Sequence, residues 1–402
     1  MLLEKTPPAI VLGMEITGLA VTRALGRQNI PVIGVDFNHY KIGSLSKYCK
    51  RMRCPDPRSS ECEFVDSLLS LSKQLPTKGV LFPTNDRLAL LISKYRNLLG
   101  NYYLFSIPED GIIEKINNKL EFYHLALKHG IPAPTTYYAE DLDSLKHIAK
   151  QIRYPCVIKP KLNYYFEALK IKALKCTEHA ELLRNFQRIR KVTCNILIQE
   201  VVMGKNDQQF SLCSYLNKDF EPLALFTSRK IRQYPLEFGV GTLVESCYVP
   251  EILELGISLL KKLRYCGISE IEFRKDTEDS KFKVIEINTR PWDQIGLAYK
   301  SGINLPLIAY NDLVGHSLAK VDAFKTNIKW LRFWSDFRTS FGKSGYLSSG
   351  ELTFQDWLRS LRGEKDHAIF DWDDPKPFFI SFLRGFIKLI KKIFRKNWPL
   401  SN

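Results

Sequence analysis

The chain has 402 residues, 45% of them hydrophobic, and a formal net charge of +16 at pH 7. That length allows two to three domains with a sizeable core, and the absence of an 18-residue apolar run excludes a spanning helix. Nine cysteines lie between Cys49 and Cys266 with neither a CxxC pair nor histidine spacing, so reduced thiols in a cytosolic protein are expected instead of disulfides or zinc.

The N-terminus has a very short apolar run beside Glu4, Lys5 and two prolines, which is not a signal peptide. Residues 9–13 read as a short apolar strand, 17–27 as a helix and 31–36 as a second strand, an α/β opening with a doubly wound parallel sheet. In the turn between Gly13 and Gly18, Glu15 occupies the place where a dinucleotide fingerprint needs its second glycine. Asp36 imitates the ribose-binding acid of that fingerprint, but without the glycine nicotinamide or flavin binding is not expected. Residues 64–74 and 87–99 read as helices around a strand at 79–83. Thr84, Asn85 and Asp86 follow that strand's carboxyl end, where they serve either a ligand or the N-cap of the next helix.

Residues 112–130 are helical and charged, and Gly130, Pro132 and Pro134 end them at the start of a second domain. A helix at 141–152 precedes a strand at 154–160 that carries Lys159 between Ile158 and Pro160. Such a lysine either protects a sheet edge or faces a ligand. A helix at 178–190 is followed by strands at 196–202, 210–216 and 223–228. Arg229, Lys230 and Arg232 then put three cations into four residues, read as a loop that is either solvated or anion-binding. A helix at 250–265 leads into the most informative stretch.

Residues 268–276 and 281–292 alternate at strand period across a polar turn at 277–280. Ile271 and Phe273 oppose Glu270, Glu272 and Arg274 on the first strand. On the second, Lys283, Ile285 and Ile287 oppose Val284, Glu286, Asn288 and Arg290, so that Ile285 and Ile287 can bury. A three-residue loop sets Glu272 directly opposite Glu286, an arrangement that is destabilising unless a cation sits between them. Oxygen donors from Glu272, Glu286 and Asn288 suit Mg²⁺, and Arg290 is placed to grip a phosphoryl or carboxylate group. The alternative is an amphipathic hairpin with a wet polar face.

In this order the motifs resemble the ATP-grasp superfamily, and within it the carboxylate–amine ligase-like (D-aspartate ligase-like) proteins, over residues 1–318. The resemblance implies two parts and leaves a third. Residues 1–115 would be a Rossmann-like pre-ATP-grasp domain and residues 116–318 the α+β ATP-grasp domain. The third part, residues 319–402, lies beyond the resemblance and reads from its aromatic and basic texture as a helical, basic C-terminal extension. The resemblance also implies that Lys119 and Lys159 bind nucleotide phosphates, that Gln199, Glu200 and Val202 form the adenine hinge, and that Asp207 contacts ribose. Lys230 and Arg290 would flank the acyl-phosphate, and Glu272, Glu286 and Asn288 would hold Mg²⁺, with Mn²⁺ as an alternative. One departure concerns residues 161–170, which contain no glycine where most of the superfamily covers the phosphates with a glycine-rich loop.

The expected activity is ATP-dependent joining of a carboxylate to an amine. A nucleotide-binding relative without that chemistry and a membrane-associated scaffold remain as alternatives. No nucleic-acid partner is expected. From Lys376 onward the chain has seven Lys or Arg and no Asp or Glu, and residues 377–397 form an amphipathic helix with one apolar and one cationic face. Such a helix either docks on the catalytic domain or lies on an anionic membrane surface, peripheral to the inner face.

Overall fold

The computed structural model describes residues 6–109, 111–161 and 173–397. Five strands form a parallel sheet: β1 (Ala9–Leu12), β2 (Val32–Asp36), β3 (Cys49–Arg53), β4 (Gly79–Pro83) and β5 (Tyr103–Leu104). Their order is β3-β2-β1-β4-β5. β1 is apolar throughout because both its faces are covered, as parallel strands require. Ala9 and Val11 enter one core with the helix Ile16–Gly26, whereas Ile10 and Leu12 enter another with Glu61–Ser72 and Asp86–Lys94. This is the expected doubly wound sheet. Gly13, at φ +84°, makes the turn after β1, and a Cβ there would lie 2.6 Å from the Thr84 hydroxyl oxygen. Glu15 ion-pairs with Lys41.

A four-stranded antiparallel sheet follows: β6 (Thr136–Tyr138), β7 (Cys156–Pro160), β8 (Leu174–Cys176) and β9 (Ile196–Glu200), in the order β6-β9-β7-β8. Lys159 therefore sits on an interior strand, paired with β8 and β9, and edge protection is excluded. The largest sheet holds β10 (Gln209–Leu216), β11 (Pro222–Tyr234), β12 (Val240–Ser246), β13 (Gly267–Lys275), β14 (Phe282–Asn288), β15 (Lys329–Leu331) and β16 (Lys365–His367). Its order is β14-β13-β10-β11-β12-β15-β16. Tyr215, Phe226 and Trp330 of this sheet share a core with Ala9 and Val11, so the parallel sheet and the largest sheet pack as one body.

Two local expectations are corrected. The cationic run from Arg229 is not a loop but the second half of β11. Its charges are matched individually, Arg229 by Glu245 and Arg232 by the buried Asp336. The β13–β14 hairpin closes through residues 276–281, longer than three residues, and a register shift restores the expected pairing. Phe273 faces Val284, but Glu272 faces Glu286, so one extra residue on β14 bulges between them. The bulge inverts the alternation. Phe282, Val284 and Ile287 enter the core, while Ile285 leaves it.

The region after residue 318 supplies β15 and β16 to the largest sheet, an aromatic helix (Phe333–Phe341), a short helix (Phe354–Ser360) and a terminal helix (Lys376–Asn397). Among the described residues no helix is long and apolar enough to cross a membrane. The glycine-free stretch at 162–170 and Trp398 lie outside the described residues.

Candidate active site

The bulge positions two rows of polar side chains across the largest sheet. In one row Glu286, Glu272 and Ser211 are successive neighbours on β14, β13 and β10, and in the next Asn288, Glu270 and Cys213 follow. Lys230 reaches over β10 to place its Nζ 3.4 Å from Glu272 Oε2. Ser211 Oγ donates to Glu270 Oε1 at 3.0 Å, and Asn288 Nδ2 donates to Glu270 Oε2 at 2.9 Å. With its amide nitrogen so engaged, Asn288 presents Oδ1, which accepts from Arg290 Nη2 at 3.0 Å. Arg290 Nε in turn donates to Asp86 Oδ1 at 2.9 Å. A continuous relay thus runs from Ser211 to the parallel sheet. Burial, and then the Glu272 charge, push the Glu270 carboxyl up to about 8.

Glu270 was visible in the sequence on the polar face of its strand but was not singled out. Its signal was its position two residues before Glu272 on that face. Thr84, Asn85 and Asp86 read together in the sequence as facing a ligand or capping the next helix. Asn85 caps the helix by accepting from the Leu88 N–H at 3.0 Å, and Asp86 holds Arg290.

A cleft of about 760 Å³ opens between the four-stranded and largest sheets, lined among others by Lys159, Gln199, Glu200, Val202 and Asp207. These five expected nucleotide residues come together. Lys159 Nζ donates to Gln199 Oε1 at 2.7 Å, and Gln199 Nε2 donates to Thr136 Oγ1 at 2.7 Å. The Gln199 side chain therefore orients Lys159. Glu200 Oε1 accepts from the Arg153 N–H at 3.2 Å, which turns its carboxylate toward the chain entering β7. Burial lowers the Lys159 ammonium to about 7, with the positive charge of Lys119 as the next contribution, opposed by Glu286 and Glu272. Lys119 opens the helix Lys119–Lys128 and its N–H donates to the Lys161 carbonyl at 3.1 Å. Lys119 does not line the cleft, nor do Lys230, Glu272, Glu286 and Asn288.

The cleft also collects buried polar atoms without partners: Asp207 Oδ1, Gln209 Oε1, Gln233 Oε1 and Arg274 Nε. Buried polar groups are normally satisfied, so a cluster of mostly acceptor orphans at one cleft fits a polar ligand with hydroxyl donors, such as a ribose. The metal expectation fits less directly. Among the described residues no three His, Cys, Asp or Glu side chains form a metal cluster. Glu272 and Glu286 are nonetheless opposed oxygen donors of the kind Mg²⁺ takes when phosphate oxygens complete its shell.

A second cleft, of about 840 Å³, lies at the carboxyl ends of the parallel strands and is lined by Asp36, Thr84, Asp86, Arg290 and Asp293 among others. Open α/β sheets place ligands there. Of its cations, Lys41 is matched by Glu15, Arg58 by Asp56, Lys94 by Glu61 and Arg290 by Asp86. Arg290 thus stands between this cleft and the carboxylate rows.

No family model matches the chain. A D-aspartate ligase of Enterococcus faecium is 23% identical over 267 residues, which is 62% of this chain and 63% of that protein, so the match spans less than two thirds of the relative. Among solved structures, the biotin carboxylase domain of Hydrogenobacter thermophilus 2-oxoglutarate carboxylase, crystallised with MgADP and bicarbonate, is similar. Its TM-score is 0.64 at 16% identity, covering 81% of this chain and 74% of that one. An L-amino acid ligase of Bacillus licheniformis has a TM-score of 0.58 at 16% identity over 77% of this chain and 75% of that one. The sheet order, the motif order and these likenesses agree, and the chain has the ATP-grasp fold of these structural neighbours.

Proposed function

We propose that this chain is an ATP-dependent ligase that joins a carboxylate to an amine through an acyl-phosphate. The observation that carries the reading is the opposed pair Glu272 and Glu286, with Lys230 beside Glu272 and with Arg290 linking the neighbouring Asn288 to the second cleft. A carboxylate is a poor acylating agent because its leaving group would be oxide. Transfer of the γ-phosphoryl of ATP to it releases ADP and gives an acyl-phosphate, which the amine displaces with loss of phosphate and a proton.

The residues act by position and charge. Lys159, held by Gln199, meets the nucleotide phosphates, Asp207 accepts from the ribose, and the backbone beside Glu200 and Val202 flanks adenine. Lys230 and Arg290 offset charge on the transferred group and on the acyl-phosphate. Glu272, Glu286 and Asn288 would hold Mg²⁺, or Mn²⁺, which supplies charge neutralisation on the phosphates. Asp86 orients Arg290 at the second cleft, where the carboxylate and amine would enter. D-aspartate and other amino acids are candidates, by analogy with the relatives. All nine cysteines are free thiols, which fits work on the cytoplasmic side, and the reading extends to a peripheral place at the inner membrane face.

The test is ADP release by the purified chain against a panel of amino acids and small carboxylates. Release that needs both a carboxylate and an amine supports the ligase. Mg-ATP binding without any such release favours the second reading, a nucleotide-binding relative, which the glycine-free stretch at 161–170 motivates.

Lys159→Ala is expected to weaken Mg-ATP binding about 10- to 100-fold, the scale of one charge-assisted contact. The free enzyme holds this lysine near 7, and polyphosphate favours its charged form, so binding above pH 7 should take up a proton. Affinity should then fall as pH rises from 7. Calorimetry in buffers of different ionisation enthalpy measures the uptake. An unchanged affinity in the variant, or no proton uptake at pH 8, would remove Lys159 from the phosphate site.

A further inference from the structure

The aromatic helix Phe333–Phe341 is turned inside out. Its buried residues are Asp336, Thr339 and Ser340, while Phe333, Trp334, Phe337 and Phe341 face outward. A helix in a soluble protein normally buries its apolar stripe. Here the polar side is drawn inward because Asp336 accepts a bidentate contact from Arg232 and further bonds from Thr242 and Trp357. The stripe left outside is continuous with its neighbours. Phe341 meets Phe354 of the short helix at 6.2 Å between centroids, and Trp334 meets Phe382 of the terminal helix at 6.5 Å. Trp334 and Phe382 are 60% and 52% exposed, and Trp372, nearby in the chain, is 87% exposed. The terminal helix meets the body through Pro377, Phe378 against Phe370, and Arg384 over Tyr40, while its Phe379, Leu383 and Ile387 stay exposed.

We propose that this composite face, from the aromatic helix across to the terminal helix, is a docking surface for an anionic lipid bilayer. An exposed apolar area shared by three elements marks an interaction site. Charge identifies the partner. From Pro375 onward the sequence has seven Lys or Arg and no acid, and Arg338 and Arg362 lie on or beside the first two helices. Of the acids nearby in sequence, Asp356 is held by Arg359, and Asp371 and Asp373 by Arg27 and Lys47, while Glu351 accepts from Asn206 and Ser349. A protein partner is usually met with both signs of charge, whereas tryptophan, phenylalanine and unopposed cations together suit the headgroup and acyl boundary of an anionic leaflet. The surface is wider than the amphipathic tail, because the aromatic helix is anchored in the largest sheet through Arg232. Docking would hold the body of the protein in a fixed orientation instead of tethering it by a flexible end.

The test uses the full chain and vesicles of phosphatidylglycerol with phosphatidylcholine, against phosphatidylcholine alone. The parent is expected to sediment with the anionic vesicles and to be released by salt. Trp334→Ser combined with Phe337→Ser, both outside the terminal helix, should lower that partition at least about tenfold with the melting temperature unchanged. Truncation after Pro375 should lower it further. Equal binding to both lipid types, or none, overturns the proposal. So does binding lost on truncation but unaltered by the aromatic pair, which would make the tail alone the anchor. A chain that ignores vesicles but dimerises, and becomes monomeric in the aromatic double variant, would show a self-association face instead.

Discussion

Glu286→Gln is expected to lower ADP-forming turnover by about 10²–10³, equivalent to about 3–4 kcal/mol of transition-state stabilisation, and to leave the ligand-free fold intact or slightly more stable. The sign of the stability effect follows from the bulge. It brings Glu286 opposite Glu272 on the neighbouring strand, and like charges at directly opposed positions repel. Lys230, 3.4 Å from Glu272, and the interaction that Glu286 itself makes offset part of this. The amide keeps the shape and removes one charge, so repulsion falls while the cation-holding pair is lost. Two measurements are needed on the same preparation, thermal unfolding without nucleotide and ADP release across a magnesium titration. A marked loss of ligand-free stability would assign Glu286 to a structural ion pair, and the metal reading would fail with it.

The strands of the site were legible where burial is two-sided. β1 and β4 are continuous apolar runs, as strands covered on both faces must be. β3, Cys-Lys-Arg-Met-Arg, was not legible, because an edge strand carries cations that discourage further pairing and leave no apolar signal. The second half of β11 was missed for a related reason. Its cations looked solvated because their partners are remote in the chain, and Asp336 lies 104 residues beyond Arg232. The pairing of Glu272 with Glu286 was read correctly on the wrong loop. A bulge is set by the partner strand, so no pattern on β14 alone announces it, and Val284 and Ile285 consequently exchange sides. Asn288 was legible as an oxygen donor. Its clamp between Glu270 and Arg290 was not, since that clamp depends on which amide atom points which way. Arg290 was visible as an anion contact, but Asp86, its partner, comes from 204 residues earlier, and only packing of the parallel sheet on the largest sheet unites them.

Removing the Asp336 carboxylate is expected to cause the largest loss of stability in the molecule, about 3–5 kcal/mol for Asp336→Ala. The side chain is fully buried and accepts four bonds: from Arg232 Nε at 2.8 Å, Arg232 Nη2 at 2.9 Å, Thr242 Oγ1 at 3.0 Å and Trp357 Nε1 at 3.0 Å. Among the described residues, alanine leaves a guanidinium, 3% exposed, with Ser360 Oγ at 2.8 Å from Nη1 as its remaining hydrogen-bond partner. A buried cation stripped of its partner cannot be rehydrated without opening the sheet. Replacing both partners, as Arg232→Met with Asp336→Leu, removes the two charges together and should recover much of the loss. Chemical denaturation of the two single variants and the double variant measures the coupling. Independent, additive losses would mean that the pair does not fasten the aromatic helix to β11. The effect should also reach the nucleotide cleft, because Arg232 and Gln233 line it and Thr339 of the aromatic helix donates to the Gln233 carbonyl at 2.9 Å. Mg-ATP affinity in Asp336→Ala should therefore fall even at temperatures where the variant stays folded. A folded variant with parental affinity would separate the C-terminal anchor from the nucleotide site.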